Sequence, residues 1–157
     1  MEALQSLLTY LTKTTGLVAD HKIEAWGEDG KFIFTPGIIS MGYEVVYTAN
    51  FEMSDVKVDP VKFGMYFVHW MNVYIPDREN HGLGEPEFFV EPLSGGKFDL
   101  GLRLQFREQI SLIEDPAGEW LLDDGKKYKA SSDFGVAADL SLLEIVDSHT
   151  QDTGLKN

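Results

Sequence analysis

The sequence predicts an α+β fold, a mostly antiparallel sheet with two helices packed on it. Three observations carry this reading. The segments YEVVYTANFEM and KFDLGLRLQF alternate apolar and polar residues with the period of a strand. Two other segments repeat apolar residues at helical spacing. No strand–helix–strand unit recurs along the chain, as a parallel sheet would require.

The elements follow in order. Leu4, Leu7, Leu8 and Leu11 lie at i, i+3, i+4 and i+7, so they predict an amphipathic helix that ends near Thr15-Gly16. Ile23 to Trp26 and Phe32 to Phe34 are short apolar runs, and GEDG between them predicts a hairpin loop. TPGIISMG reads as a turn or loop. In the strand that follows, Tyr43, Val45, Tyr47, Ala49, Phe51 and Met53 share one face, while Glu44, Thr48, Asn50 and Glu52 share the wetter one.

The next helix is unusual. Asp59 suits the cap and Pro60 the first helical position of DPVKFGMYFVHWMNVYIPD, and Pro76 supplies a stop. Val61, Met65, Val68 and Met71 form one apolar stripe, and Phe63, Phe67, Trp70 and Tyr74 form an aromatic one. Only Lys62, Tyr66, His69 and Asn72 are left for water. A surface helix commonly buries one stripe, so this one asks for cover on two sides.

PDRENHGLGEPE predicts an exposed loop, and Phe88-Phe89-Val90 a short strand. In KFDLGLRLQFREQISLI, Phe98, Leu100, Leu102, Leu104 and Phe106 face one way and Asp99, Gly101, Arg103, Gln105 and Arg107 the other. Polar residues interrupt the apolar row at Arg107 to Gln109, and a bulge expected there would account for a change of phase. EWLLDDGKKYK predicts a second hairpin about its Asp-Gly turn. A last apolar segment spans Leu140 to Val146. The expected organisation is one domain over 1–147 and a polar, flexible tail over 148–157.

Composition narrows the function. The chain has 157 residues, enough for one domain with a real core. Apolar residues make up 43% and charged ones 25%, which excludes a disordered chain. A net charge of −13 argues against a protein that wraps nucleic acid or docks on an anionic membrane, although an acidic wall can line a DNA passage. The absence of cysteine excludes disulfides and thiolate chemistry. No run is long enough to span a bilayer, and MEALQSLLTYLTKTTG does not read as a signal peptide, so a cytoplasmic protein is expected.

The search for chemistry is unrewarding. His21, His69, His81 and His149 form no HxxxH or HExxH pair. HGLGEPE, SGGKF and DDGKK lack the length or residues of a phosphate loop. Asp77, Glu79, Glu85, Glu87 and Glu91 lack the spacing of a calcium loop, and Ser131-Ser132-Asp133 has no histidine at a triad-like spacing. No catalytic, cofactor or metal site is expected.

The order of these elements resembles that of the tail completion protein R family of P2-like contractile-tailed phages. The resemblance rests on SLLTYLTKT, YEVVYTANFEM, VHWMNVYIPD, KFDLGLRLQFREQISLIED and GEWLLDDGKKYK, and covers roughly residues 4 to 130. It implies a small structural protein of tail-terminator-like fold. It also implies a ring, with six subunits, on the head-proximal end of the tail tube, helping to join tail to head. The implied partners are tail tube and sheath proteins and head-completion or connector proteins, with no cofactor and no specific nucleic acid. The implied location is the host cytoplasm during assembly and then the virion tail.

For such a ring the candidate subunit contacts are Phe63, Phe67, Trp70 and Tyr74 on the helix. The polar strand face with Arg103 and Arg107 is the rival. Two other readings fit the same elements. One is a protein-interaction module outside any phage, and the other a small-molecule-binding domain with a pocket between helix 59–74 and the sheet.

Overall fold

The computed structural model describes residues 1–34 and 42–134. Helix α1 (Glu2–Thr9) runs into a wider π turn over Tyr10–Thr14, where the Thr15 N–H donates to the Tyr10 carbonyl. Strands β1 (Ile23–Ile33) and β2 (Gly42–Val56) precede α2 (Pro60–Tyr74). Strands β3 (Glu87–Pro92), β4 (Phe98–Glu114), β5 (Trp120–Leu121) and β6 (Lys127–Ser132) complete the order.

All six strands join one antiparallel sheet in the order β1-β2-β4-β6-β5. The 17-residue β4 is its axis. One edge of β4 pairs with β2, from Gly42↔Ser111 to Met53↔Leu100. The other edge is shared. Residues 98–103 pair with β3 and residues 110–114 with β6. Between those two partners, the Arg78 guanidinium donates to the Gln105 carbonyl at 2.6 Å and to the Gly84 carbonyl at 2.8 Å. The Gln109 N–H donates to Asp133 Oδ1. Side chains thus satisfy backbone groups where no strand does.

Both helices cover the same sheet face. Leu7 and Leu11 of α1, with Phe63, Phe67 and Trp70 of α2, share one core with Tyr47, Phe51, Leu102, Leu104 and Phe106. Asp59 caps α2 as expected, accepting from the Val61 N–H at 2.8 Å with Pro60 in the first turn. The alternation of β2 and β4 is borne out, with Val45, Tyr47, Ala49, Phe51, Met53, Leu100, Leu102, Leu104 and Phe106 all buried. Gly42 must be glycine, since its φ is +154° and a Cβ would lie 2.3 Å from the Ile110 carbonyl oxygen.

Two expectations are corrected. GEDG is not a hairpin loop. Strand β1 is continuous, and its register on β2 passes from Glu28↔Thr48 to Lys31↔Val46, so β1 carries one extra residue. Asp29 absorbs it with φ 55°, which opens a bulge where a turn was expected. The bulge expected at Arg107 to Gln109 is also absent, since pairing with β2 is unbroken there. The irregularity lies instead between Met53 and Val56, where Asp55 takes φ 55°. The EWLLDDGKKYK hairpin forms, with Trp120↔Tyr128 paired and Gly125 at φ 77°. The TPGIISM part of the expected loop, the apolar segment Leu140 to Val146 and the tail 148–157 lie outside the described residues, so the division at 147 does too.

Candidate interaction surfaces

Helix α2 turns its two apolar stripes in opposite directions. Phe63, Phe67, Trp70 and Val73 are buried against the sheet. Trp70 stacks on Tyr74 and meets Phe106 edge-on, with centroids 5.4 and 5.9 Å apart, and Phe63 stacks on Phe88. The sheet offers aromatic partners at these positions, so the larger rings go inward. Three of the four aromatic residues expected as subunit contacts are therefore core residues, and Tyr74 is partly buried against the core. The outward stripe is the aliphatic one: Val61, Met65 and Val68 are 72%, 71% and 54% exposed.

That stripe continues into a groove of ≈350 Å³ between α2 and the loop after it, lined by Phe67, Val68, Met71, Leu83 and Pro86 with Arg78, Glu79 and Glu85. Arg78 is held inward by its two carbonyl bonds, and burial lowers its pKa. Glu79, Glu85 and Glu87 are exposed and form no ion pair among the described residues.

The other sheet face has no helix over it among the described residues. In β4, Arg103 reaches across β2 to Glu28 and Asp29 of β1, at 3.5 and 3.7 Å. Its path crosses β2, consistent with Thr48 of that strand being only 5% exposed on a face without a helix. Beside Thr48, the Asn50 Nδ2 is buried without a partner. Arg107 pairs with Glu44 through two guanidinium nitrogens. Both arginines thus hold the subunit's own strands together while staying partly exposed, at 45% and 35% of their side chains. Trp26 and Phe89 are exposed apolar points in this sheet, and Phe89 covers Gly101.

Sequence reasoning missed Glu108. It sits on the core face of β4 and is 1% exposed. Its carboxylate accepts from the Glu2 N–H at 2.9 Å, the Tyr47 hydroxyl at 2.5 Å and Ser132 Oγ at 3.5 Å. It thereby caps α1, to which Met1 gives no side-chain bond. Burial and the bond to Glu108 push the Tyr47 hydroxyl far above the usual tyrosine range. The signal was in the sequence, because Ile110 and Leu112 keep the phase of Leu102 to Phe106, and Glu108 stands in that phase.

His69 is exposed on α2, and His81 lies 3.3 Å from Asp77 in the loop after it. Among the described residues, no group of three or more histidine, aspartate or glutamate side chains is placed to hold a metal ion, and no helix is long and apolar enough to cross a membrane. The space between α2 and the sheet, considered as a ligand pocket, holds Phe63, Phe67 and Trp70. A cavity of ≈100 Å³ remains near its end, lined in part by Tyr74, Ile75, Phe106 and Phe134. These surfaces suit recognition of other proteins.

Comparison with known proteins agrees with that character. No curated protein and no solved structure matches the chain. A family model does, over residues 1–130 of the 157, and its family is described as P2 phage tail completion protein R. That is a structural component of the phage tail and not a known enzyme class. The match spans both helices and nearly the whole sheet, from the first residue of α1 into β6, and on it the chain belongs to the P2 phage tail completion protein R family.

Proposed function

We propose that this tail protein forms a ring, of six subunits by the family resemblance, that caps the head-proximal end of the tail tube and helps join tail to head. The family match supports a role in tail completion. The single structural observation that supports the ring is the sheet face that no helix covers among the described residues, which presents arginines and carboxylates side by side while leaving them partly exposed. A closed ring of identical copies repeats one such contact by rotation.

With Phe63, Phe67 and Trp70 used by the core, the strand face with Arg103 and Arg107 becomes the proposed subunit contact. It carries both signs of charge, so ion pairs can exchange between copies and fix their register. A net charge of −13 opposes assembly at low salt, so ring formation should rise from low to moderate ionic strength. Electron microscopy of intact tails with the protein labelled tests the reading. Label at the head-proximal end is expected. Label only at the baseplate, or absent from the particle, defeats it.

A further inference from the structure

We propose that the outer face of α2, with the groove beside it, docks an amphipathic segment of a different protein whose apolar anchors are flanked by lysine or arginine. The inference deepens the tail-joining role above and rests on it for biological setting, but not for its chemistry. Val61, Met65 and Val68 stand at i, i+4 and i+7, the spacing of a helix that packs against a complementary partner. Val68 leads into the groove with Met71, Leu83 and Pro86, which gives apolar side chains a concave place to insert.

Charge selects the occupant. The groove's one lining cation, Arg78, is bonded to the carbonyls of Gln105 and Gly84 and lies within Coulomb reach of Glu85, so the two rim acids outnumber it. Glu79 and Glu85 at its rim have no cationic partner within ion-pair distance among the described residues. Lys62, at the far end of the helix, lies over the Tyr66 ring. A second copy has the cations of its strand face, Arg103 and Arg107, already paired within the subunit to Glu28, Asp29 and Glu44, and nucleic acid and anionic lipid bring the wrong sign to this rim. Residues 135–157 hold four acids and one lysine, so they are disfavoured on the same ground.

The test uses the full-length chain and two labelled synthetic peptides, one of leucine and lysine in amphipathic order and one of leucine and glutamate. Anisotropy should show binding of the lysine peptide only. Met65→Ser/Val68→Ser should weaken it by roughly tenfold or more, as loss of apolar anchors does. Glu79→Gln/Glu85→Gln should weaken it less and flatten its salt dependence. Both positions of the first pair are mostly exposed, so circular dichroism should show an unchanged fold. A photo-crosslinker at Met65 should give a peptide adduct.

Equal binding of the glutamate peptide overturns the proposal. So does unchanged affinity in the serine variant, which would mean charge attraction without a groove. A crosslinked dimer of the chain, or an internal link to residues 135–157, overturns it by naming another occupant. A chain that binds the lysine peptide but is absent from tails defeats the tail role alone.

Discussion

The two stripes of α2 have similar apolar content and opposite fates. Phe63, Phe67 and Trp70 are 1%, 9% and 0% exposed, whereas Val61, Met65 and Val68 are 54% or more exposed. Both stripes belong to one 15-residue helix with one cap. What separates them is the partner each finds. The aromatic rings meet Phe88, Phe106 and Phe134 at stacking or edge distance, and the aliphatic stripe finds no comparable set within the described chain. Hydrophobicity gives a helix the capacity to be covered. Shape complementarity across the sheet decides which side the chain covers itself.

The sharpest way to break this contrast is Trp70→Ala. It should cost about 3–5 kcal/mol, because the ring is fully buried and cannot be replaced by collapse of its neighbours. Chemical denaturation measures this, and a loss below about 1 kcal/mol would mean the stripe is not core.

Glu108→Ala comes next. It leaves the Glu2 N–H and the Tyr47 hydroxyl without their acceptor, so a loss of about 2–4 kcal/mol is expected. Amide exchange should show the start of α1 fraying before the rest of the molecule.

Alkali reads a different ring, Tyr128 in the β5–β6 hairpin, more gently. Tyr128 is pushed up to about 12, chiefly by its hydrogen bond to Asp124. Its ordinary value is 10.0. A group whose folded pKa is raised stabilises fully below the unfolded value and loses that contribution as pH climbs to the folded one. Stability should therefore hold up to about pH 10 and decline between there and about 12, more shallowly in Tyr128→Phe. Denaturation midpoints across that range check the slope.

The smallest effect belongs to the outward stripe. Val61→Ser, Met65→Ser and Val68→Ser should each change stability by less than about 0.5 kcal/mol. A thermal melt that falls as far as that of Trp70→Ala would show this stripe to be covered within the isolated chain, and would dissolve the contrast.

Most of this fold was legible before any coordinates. Alternation placed β2 and β4, helical spacing placed α1 and α2, and Asp59-Pro60 marked where α2 begins. Local signals failed where long-range pairing decides. GEDG has the composition of a turn, yet β2 offers β1 a partner on both sides of it, and a one-residue bulge keeps both. Glu108 looked like a break in the pattern because a carboxylate in a core row reads as solvent-facing. Only the tertiary neighbours, Glu2 and Tyr47, make it a core residue. The exposed stripe was visible as a stripe. Which of the two would stay exposed was not, since that depends on ring positions contributed by β3, β4 and Phe134.

The bond from the Glu2 N–H to Glu108 joins residues 106 positions apart. Seen in time, it means that α1 is made well before the residue that completes it. At roughly 5–20 residues per second, a ribosome takes several seconds to deliver its cap. Through that interval Leu7 and Leu11 lack the β4 part of their core, Leu100 to Phe106, which has not yet been synthesised. Non-local closure of this kind slows folding. The leucines of α1 are therefore a surface open to a nascent-chain chaperone, and the arrival of β4 is the event that withdraws them.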